Sequence, residues 1–119
     1  MLNFLEAFAR RRRKKSGNIE ITSEGFKISR SQQAREIRWD AIIKIEVFRI
    51  PGFIVEDFCA VFFSNDDEPV VVDDIYPDFL KFQDAVWQQW PEIKDRWIAI
   101  YLGSPSQRER AVLWERQQA

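Results

Sequence analysis

Histidine is missing from all 119 residues, and cysteine occurs once, at Cys59. Without an imidazole, neither a Ser-His-Asp nor a Cys-His nucleophile can be assembled, and His-containing zinc sites are excluded. One thiol makes neither a cysteine-only zinc site nor an intrachain disulfide, which suits a reducing compartment such as the cytoplasm. Cys59 sits in the apolar run Phe58-Cys59-Ala60-Val61-Phe62-Phe63, so it reads as a buried, inert thiol. The four glycines, at positions 17, 25, 52 and 103, are too scattered for a glycine loop that cradles phosphate or a dinucleotide. No apolar run approaches the ~20 residues of a membrane span. At the N-terminus the cations follow the apolar residues rather than precede them, the reverse of a secretory leader. The expectation is a protein that is not an enzyme, with no cofactor, no metal residue and no small-molecule substrate.

Carboxylates are the one formal route back to chemistry. Asp66-Asp67-Glu68 and Asp73-Asp74, brought together by a hairpin, would offer oxygen ligands to calcium or magnesium. The regular alternating acids and later glycine of a calcium loop are absent, so these are read as solvated turns.

What is abundant is charge, unevenly placed. The formal net charge is −1, yet residues 1–17 carry +5 and the remainder −6. Between Glu56 and Asp84 nine acids face one base, Lys81. Such asymmetry is a statement about partners rather than about fold. Ten Phe and five Trp are more than a core of this size usually holds, which predicts aromatic side chains on a partner-facing surface, with Phe53, Trp87 and Trp97 as candidates.

The pattern that organises the chain runs from Glu36 to Phe48. Apolar and polar residues alternate through Ile37 and Trp39, pause at Asp40-Ala41, and resume through Ile43, Ile45 and Val47. Period-two alternation with a polar break predicts two strands meeting at a corner, with the Trp39 ring turned inward. Upstream, Ile19 and Ile21, the turn Ser23-Glu24-Gly25, then Phe26 and Ile28 predict a hairpin. Downstream, Pro51-Gly52 breaks the chain, Asp57–Ser64 predicts the most apolar strand, Asn65–Glu68 a turn, and Val70–Val72 a further strand. The period then changes. Phe79, Phe82, Val86 and Trp90 recur at helical spacing after Pro77 and Asp78, and Pro91 stops the helix. A second helical stretch is predicted from Glu92 to Leu102, ending at Gly103. Residues 105–117 read either as a helix opened by Ser104-Pro105-Ser106-Gln107 or as an edge strand through Ala111-Val112-Leu113-Trp114, and helix is preferred.

The fold class is therefore α+β: about six or seven antiparallel strands forming an open β-barrel, capped by an amphipathic helix, with an extra helical segment at the C-terminus. The domain plan is a basic amphipathic segment at 1–17, a barrel with its helix at 18–90, and an extension at 91–119. The hairpin Ile19-Glu-Ile-Thr-Ser-Glu-Gly-Phe-Lys-Ile, followed by Ile37-Arg-Trp-Asp-Ala-Ile-Ile-Lys-Ile and by the Pro77–Trp90 helix, resembles the bacterial pleckstrin-homology-like (PH-like) and GRAM-like domains. In that group a Trp-Asp-x-Ile segment leads from the third strand into the fourth. The resemblance implies a non-catalytic binding or scaffolding module. It does not extend to a phosphoinositide pocket, since the first turn is Ser23-Glu24-Gly25 with a lone Lys27 after it.

Two functional readings follow. The first is a module that binds a basic protein partner through an acidic, aromatic-bearing surface, with Phe53, Ile54, Asp66, Asp67, Asp73 and Asp74 as contact residues. Its sharper form is an inhibitor or immunity-type protein that neutralises a cationic toxin or nuclease. The alternative is a cytoplasmic module held at an anionic inner-membrane surface by its N-terminus. There Leu2, Phe4, Leu5 and Phe8 form an apolar helical side that leads into Arg10, Arg11, Arg12, Arg13, Lys14 and Lys15. The same nine-residue helix packed on the body, followed by a solvated linker, is the plainer structural reading. Nucleic acid is a disfavoured partner, because the acidic body repels phosphate.

Overall fold

The computed structural model describes residues 17–30, 33–50, 57–65, 67–103 and 110–117. Phe4, Phe8, the basic run from Arg10 to Lys15, Phe53, Ile54 and Asp66 lie outside the described residues. Among the described residues the chain is α+β, with seven strands in two antiparallel sheets and two helices, and these sheets do not close into one barrel.

The first sheet is the meander β1 (Asn18–Ile21), β2 (Gly25–Arg30) and β3 (Gln33–Arg38). Its first turn is closed by Thr22. The Thr22 hydroxyl accepts from the Gly25 N–H and donates to the Gly25 carbonyl, both at 3.1 Å. Gly25 is required by packing against β3, because a Cβ there would sit 1.9 Å from the Ile37 carbonyl oxygen. That oxygen is backbone in a paired strand and has nowhere to go.

A single 3-10 turn, Trp39–Ala41, carries the chain from this sheet to the next. The Trp39 backbone N–H donates to the Glu24 carbonyl at 2.9 Å, pinning the corner to the first hairpin. Its ring is buried between Phe26 at 5.4 Å and Trp90 at 5.9 Å. The polar pause at Asp40-Ala41 in the alternating pattern is this change of sheet.

The second sheet has the order β6-β5-β4-β7, from β4 (Ile42–Ile50), β5 (Asp57–Ser64), β6 (Val70–Asp73) and β7 (Ala111–Glu115). β7 corrects the helical preference at Ala111–Glu115, while residues 105–109 of that stretch lie outside the described residues. Ala111, Val112, Trp114 and Glu115 pair with Val47, Glu46, Ile45 and Lys44. The open side of β4 supplies a ladder that an isolated four-residue apolar run cannot offer itself, and the Trp114 ring gains Trp90 at 5.3 Å. The extension at 91–119 thus returns to the body's own sheet.

Helix α1 (Phe79–Gln89) buries Phe79, Phe82 and Val86. It starts two residues after Pro77, with Asp78 at the N-cap, so Pro77 precedes the helix rather than opening it. After a 3-10 turn at Pro91–Ile93, helix α2 (Lys94–Tyr101) buries Trp97. Its indole N–H donates to Gln83 Oε1 at 2.7 Å and so ties the helices together. The sheets and α1 meet at three rings: Phe26 from β2, Phe62 from β5 and Phe82 from α1, with centroids 4.8 to 5.6 Å apart in edge-on geometry. The aromatic surplus is largely absorbed here. Trp97, expected as an interface anchor, is 0 % exposed, and Trp87 is half-buried edge-on to Trp97 at 6.1 Å.

Truncating Phe82 to Ala removes the helix's share of this contact and is expected to cost about 3–5 kcal/mol in urea unfolding. Leu80→Ala, on the exposed side of the same helix, should stay within about 0.5 kcal/mol of the parent. Gly25→Ala should lower stability by about 1–3 kcal/mol through overpacking against Ile37.

Candidate functional site

Carboxylates gather where β5 begins and β6 ends. The pairing of Cys59 with Asp73 and the 3.1 Å bond from the Asp74 N–H to the Phe58 carbonyl bring Asp73 and Asp74 beside Asp57. Asp73 is 1 % exposed and fully engaged. One oxygen accepts from the Ile75 N–H at 3.1 Å and the other from Arg30 Nη2 at 3.3 Å. The Arg30 guanidinium also lies 4.7 Å from the Tyr76 ring centre. This corrects the expectation that Asp73 contacts a partner: it is an internal tie between the two sheets, held down because a buried carboxylate needs a paired cation.

Asp74 is different. It is half-buried, and its carboxyl is pushed up to about 6, chiefly by burial and further by the negative charges of Asp57 and Asp73, with a backbone hydrogen bond from Phe58 opposing. Burial, and then the Asp74 charge, raises the neighbouring Tyr101 hydroxyl above its ordinary value. On the next strand Arg49 lies across from Phe58 and donates to the Gly103 carbonyl.

Asp67 and Glu68 are exposed on the β5–β6 turn. They lie beyond the opposite end of β6 from Asp73 and Asp74, and the strand between, Val70–Asp73, is itself about 10 Å long. The hairpin therefore separates the two acidic groups that a shared cation site would need together. Among the described residues no group of three Asp, Glu or Cys side chains is placed to hold a metal ion. Nor is any described helix long and apolar enough to cross a membrane.

A shallow hollow of about 330 Å³ lies at the first hairpin, lined from Thr22 to Lys27 and from Glu36 to Arg38. Its charges alternate in sign. Arg38 is held by Asp40 at 3.1 and 3.2 Å and by Glu24 at 3.4 Å, and the Arg38 hydrogen bond holds the Asp40 carboxyl below its ordinary value. A hollow whose arginine is already satisfied presents no uniform field to an anion.

Sequence reasoning missed Arg30 and Tyr101. Arg30 stands 43 residues from Asp73, and nothing local marks either residue. Asp57 did carry a signal, as the one charge heading a strand otherwise apolar at nearly every position.

Because the Asp74 carboxyl titrates near 6 in the fold against an ordinary 3.8, its protonated form favours the folded state. That contribution is complete below pH 4 and is lost as pH rises through 6. Asp74→Asn should therefore raise stability at pH 7–8 by on the order of 1 kcal/mol, discounted for partial exposure, and leave it unchanged below pH 4. Asp73→Ala, which strands Arg30 against Tyr76, should cost about 3 kcal/mol in the same unfolding measurement. No protein-family model, curated protein or solved structure matches this chain.

Proposed function

We propose that the chain is a non-catalytic, PH-like binding module that takes a basic protein partner on its acidic side. The observation that carries this reading is the one-sided charge between Asp57 and Asp84. In that stretch the described residues hold Asp57, Asp67, Glu68, Asp73, Asp74, Asp78 and Asp84 against Lys81 alone. Asp73 is taken up by Arg30, but Asp67, Glu68 and Asp84 are exposed. Burial chiefly, and then the charges of Asp57 and Asp73, push the Asp74 carboxyl up to about 6. Fields of this kind raise the association rate of an oppositely charged protein and select against anionic competitors.

The PH-like assignment is supported by two antiparallel sheets meeting at Trp39-Asp40-Ala41 and by an amphipathic helix packed on both. β7, which follows the helices and joins β4, is where the chain departs from the layout that the resemblance implies. An inhibitor of a cationic toxin or nuclease is the sharpest form of this reading, since such a partner supplies the complementary charge.

Affinity capture from the native host, with the full chain and with Asp67→Lys/Glu68→Lys/Asp84→Lys as bait, tests the reading. A basic protein should be held by the parent, released between roughly 0.1 and 0.5 M salt as screening sets in, and lost from the triple variant. A Glu20→Lys bait, altered on β1, should retain it. The same proteins on all three baits, or a capture insensitive to salt, would refute the acidic-surface reading.

A further inference from the structure

The two sheets have four border strands, β1 and β3 in the first and β6 and β7 in the second. A border strand is a template for a further strand unless something covers or breaks it. Three of the four are covered or broken within the described fold. Helix α1 packs against β1. At the end of β6 the Asp73 carbonyl accepts from the Tyr76 N–H at 3.4 Å, and the Asp73 carboxylate from Arg30. β7 is bulged where its register against β4 shifts, and its Val112 carbonyl accepts from Arg96 Nη1 at 3.1 Å. β3 is different. Among the described residues no strand pairs with it on the side away from β2.

The direction of its backbone groups follows from the register. The bond from the Trp39 N–H to the Glu24 carbonyl continues the β2–β3 ladder, two residues on from the Phe26–Ile37 pair. Opposed residues in an antiparallel ladder alternate between hydrogen-bonded and non-bonded pairs. Ile37 and Arg35 therefore bond to β2, while Ala34, Glu36 and Arg38 turn their N–H and C=O groups outward. All three of these residues are exposed. What guards this edge is charge alone, and the charge alternates in sign.

We propose that β3 pairs antiparallel with β3 of a second copy about a two-fold axis at Ile37, joining the two three-stranded sheets into one. Opposed residues share a face of the sheet, so the axis of a symmetric pair must fall on a residue. Axes at Arg35, Glu36 or Arg38 set two like charges face to face, which destabilises a pair. The axis at Ile37 sets Glu36 opposite Arg38 twice, and these are the residues whose backbone groups point outward. Each therefore exchanges backbone hydrogen bonds as well as opposite charge with the other copy, the self-complementarity that a two-fold contact demands. The row Glu20, Lys27, Glu36 across the sheet then continues in alternating sign into Arg38 of the second copy. Arg38 is steadied by Asp40 and Glu24 yet keeps 61 % of its side chain exposed, leaving room for a further carboxylate. The paired stretch is short, because the chain turns away from the edge at Trp39, and this makes the association weak.

Sedimentation velocity of the full chain tests this. Between roughly 10 μM and 1 mM the chain should pass from one copy to two, as a small interface requires. Glu36→Arg sets cations opposite one another and Arg38→Glu sets carboxylates opposite one another. Each should weaken the dimer by about tenfold or more, and Glu36→Arg/Arg38→Glu together should regain most of the loss. Glu36→Pro removes an outward N–H and leaves the β2 ladder whole, so it should abolish the dimer with the far-ultraviolet dichroism unchanged. Should that variant fail to fold, the charge exchange decides alone. The proposal is overturned by a parent chain that stays monomeric at the upper concentration, by a dimer that a folded Glu36→Pro leaves intact, or by a double exchange that associates no better than the single variants.

Discussion

The contact between Phe26, Phe62 and Phe82 is the constraint on which the remaining structure depends. Each ring comes from a different layer, and their edge-on geometry at 4.8 to 5.6 Å leaves little freedom in how the layers are set. Edge-to-face pairs add about 0.5–1.5 kcal/mol each beyond the area they bury. Three such pairs outweigh any exposed ion pair in this chain. Trp39 extends the cluster to Trp90, and Trp90 extends it to Trp114, so the corner between the sheets and the last strand are seated by the same aromatic chain of contacts.

Electrostatics plays a second role, divided by burial. Asp73 and Arg30 form a partly buried tie from β6 to β2, whereas Arg38, Glu24 and Asp40 meet in the open and contribute little to stability. Asp74 falls between these cases. It is buried enough to resist ionisation and has two carboxylates beside it. Asp67 and Glu68, by contrast, carry exposed charge at the other end of β6.

Much of the architecture was legible locally. Alternation placed β1 to β4, continuous apolar runs placed β5 and β6, the change of period at Phe79 placed α1, and the polar pause after Trp39 marked the passage between sheets. The candidate site was legible only as a count of acids. Which acid is internal and which is available depends on Arg30, a residue with no sequence signal, and the metal geometry imagined for Asp67 and Asp73 fails because a strand holds them apart. The misread element was β7, whose strand identity comes from the open edge of β4 and the Trp90 ring rather than from Ala111–Glu115 themselves.

By itself the sequence determined the absence of imidazole chemistry, the separation of a basic end from an acidic middle, and the period of each main element, because these depend on composition and on neighbours a few residues apart. The tertiary structure decided the fate of Asp73, the pairing of β7, and the burial of the β5 ring Phe62 against Phe26 and Phe82. Each of those is set by a partner dozens of residues away, and local periodicity carries no record of such a partner.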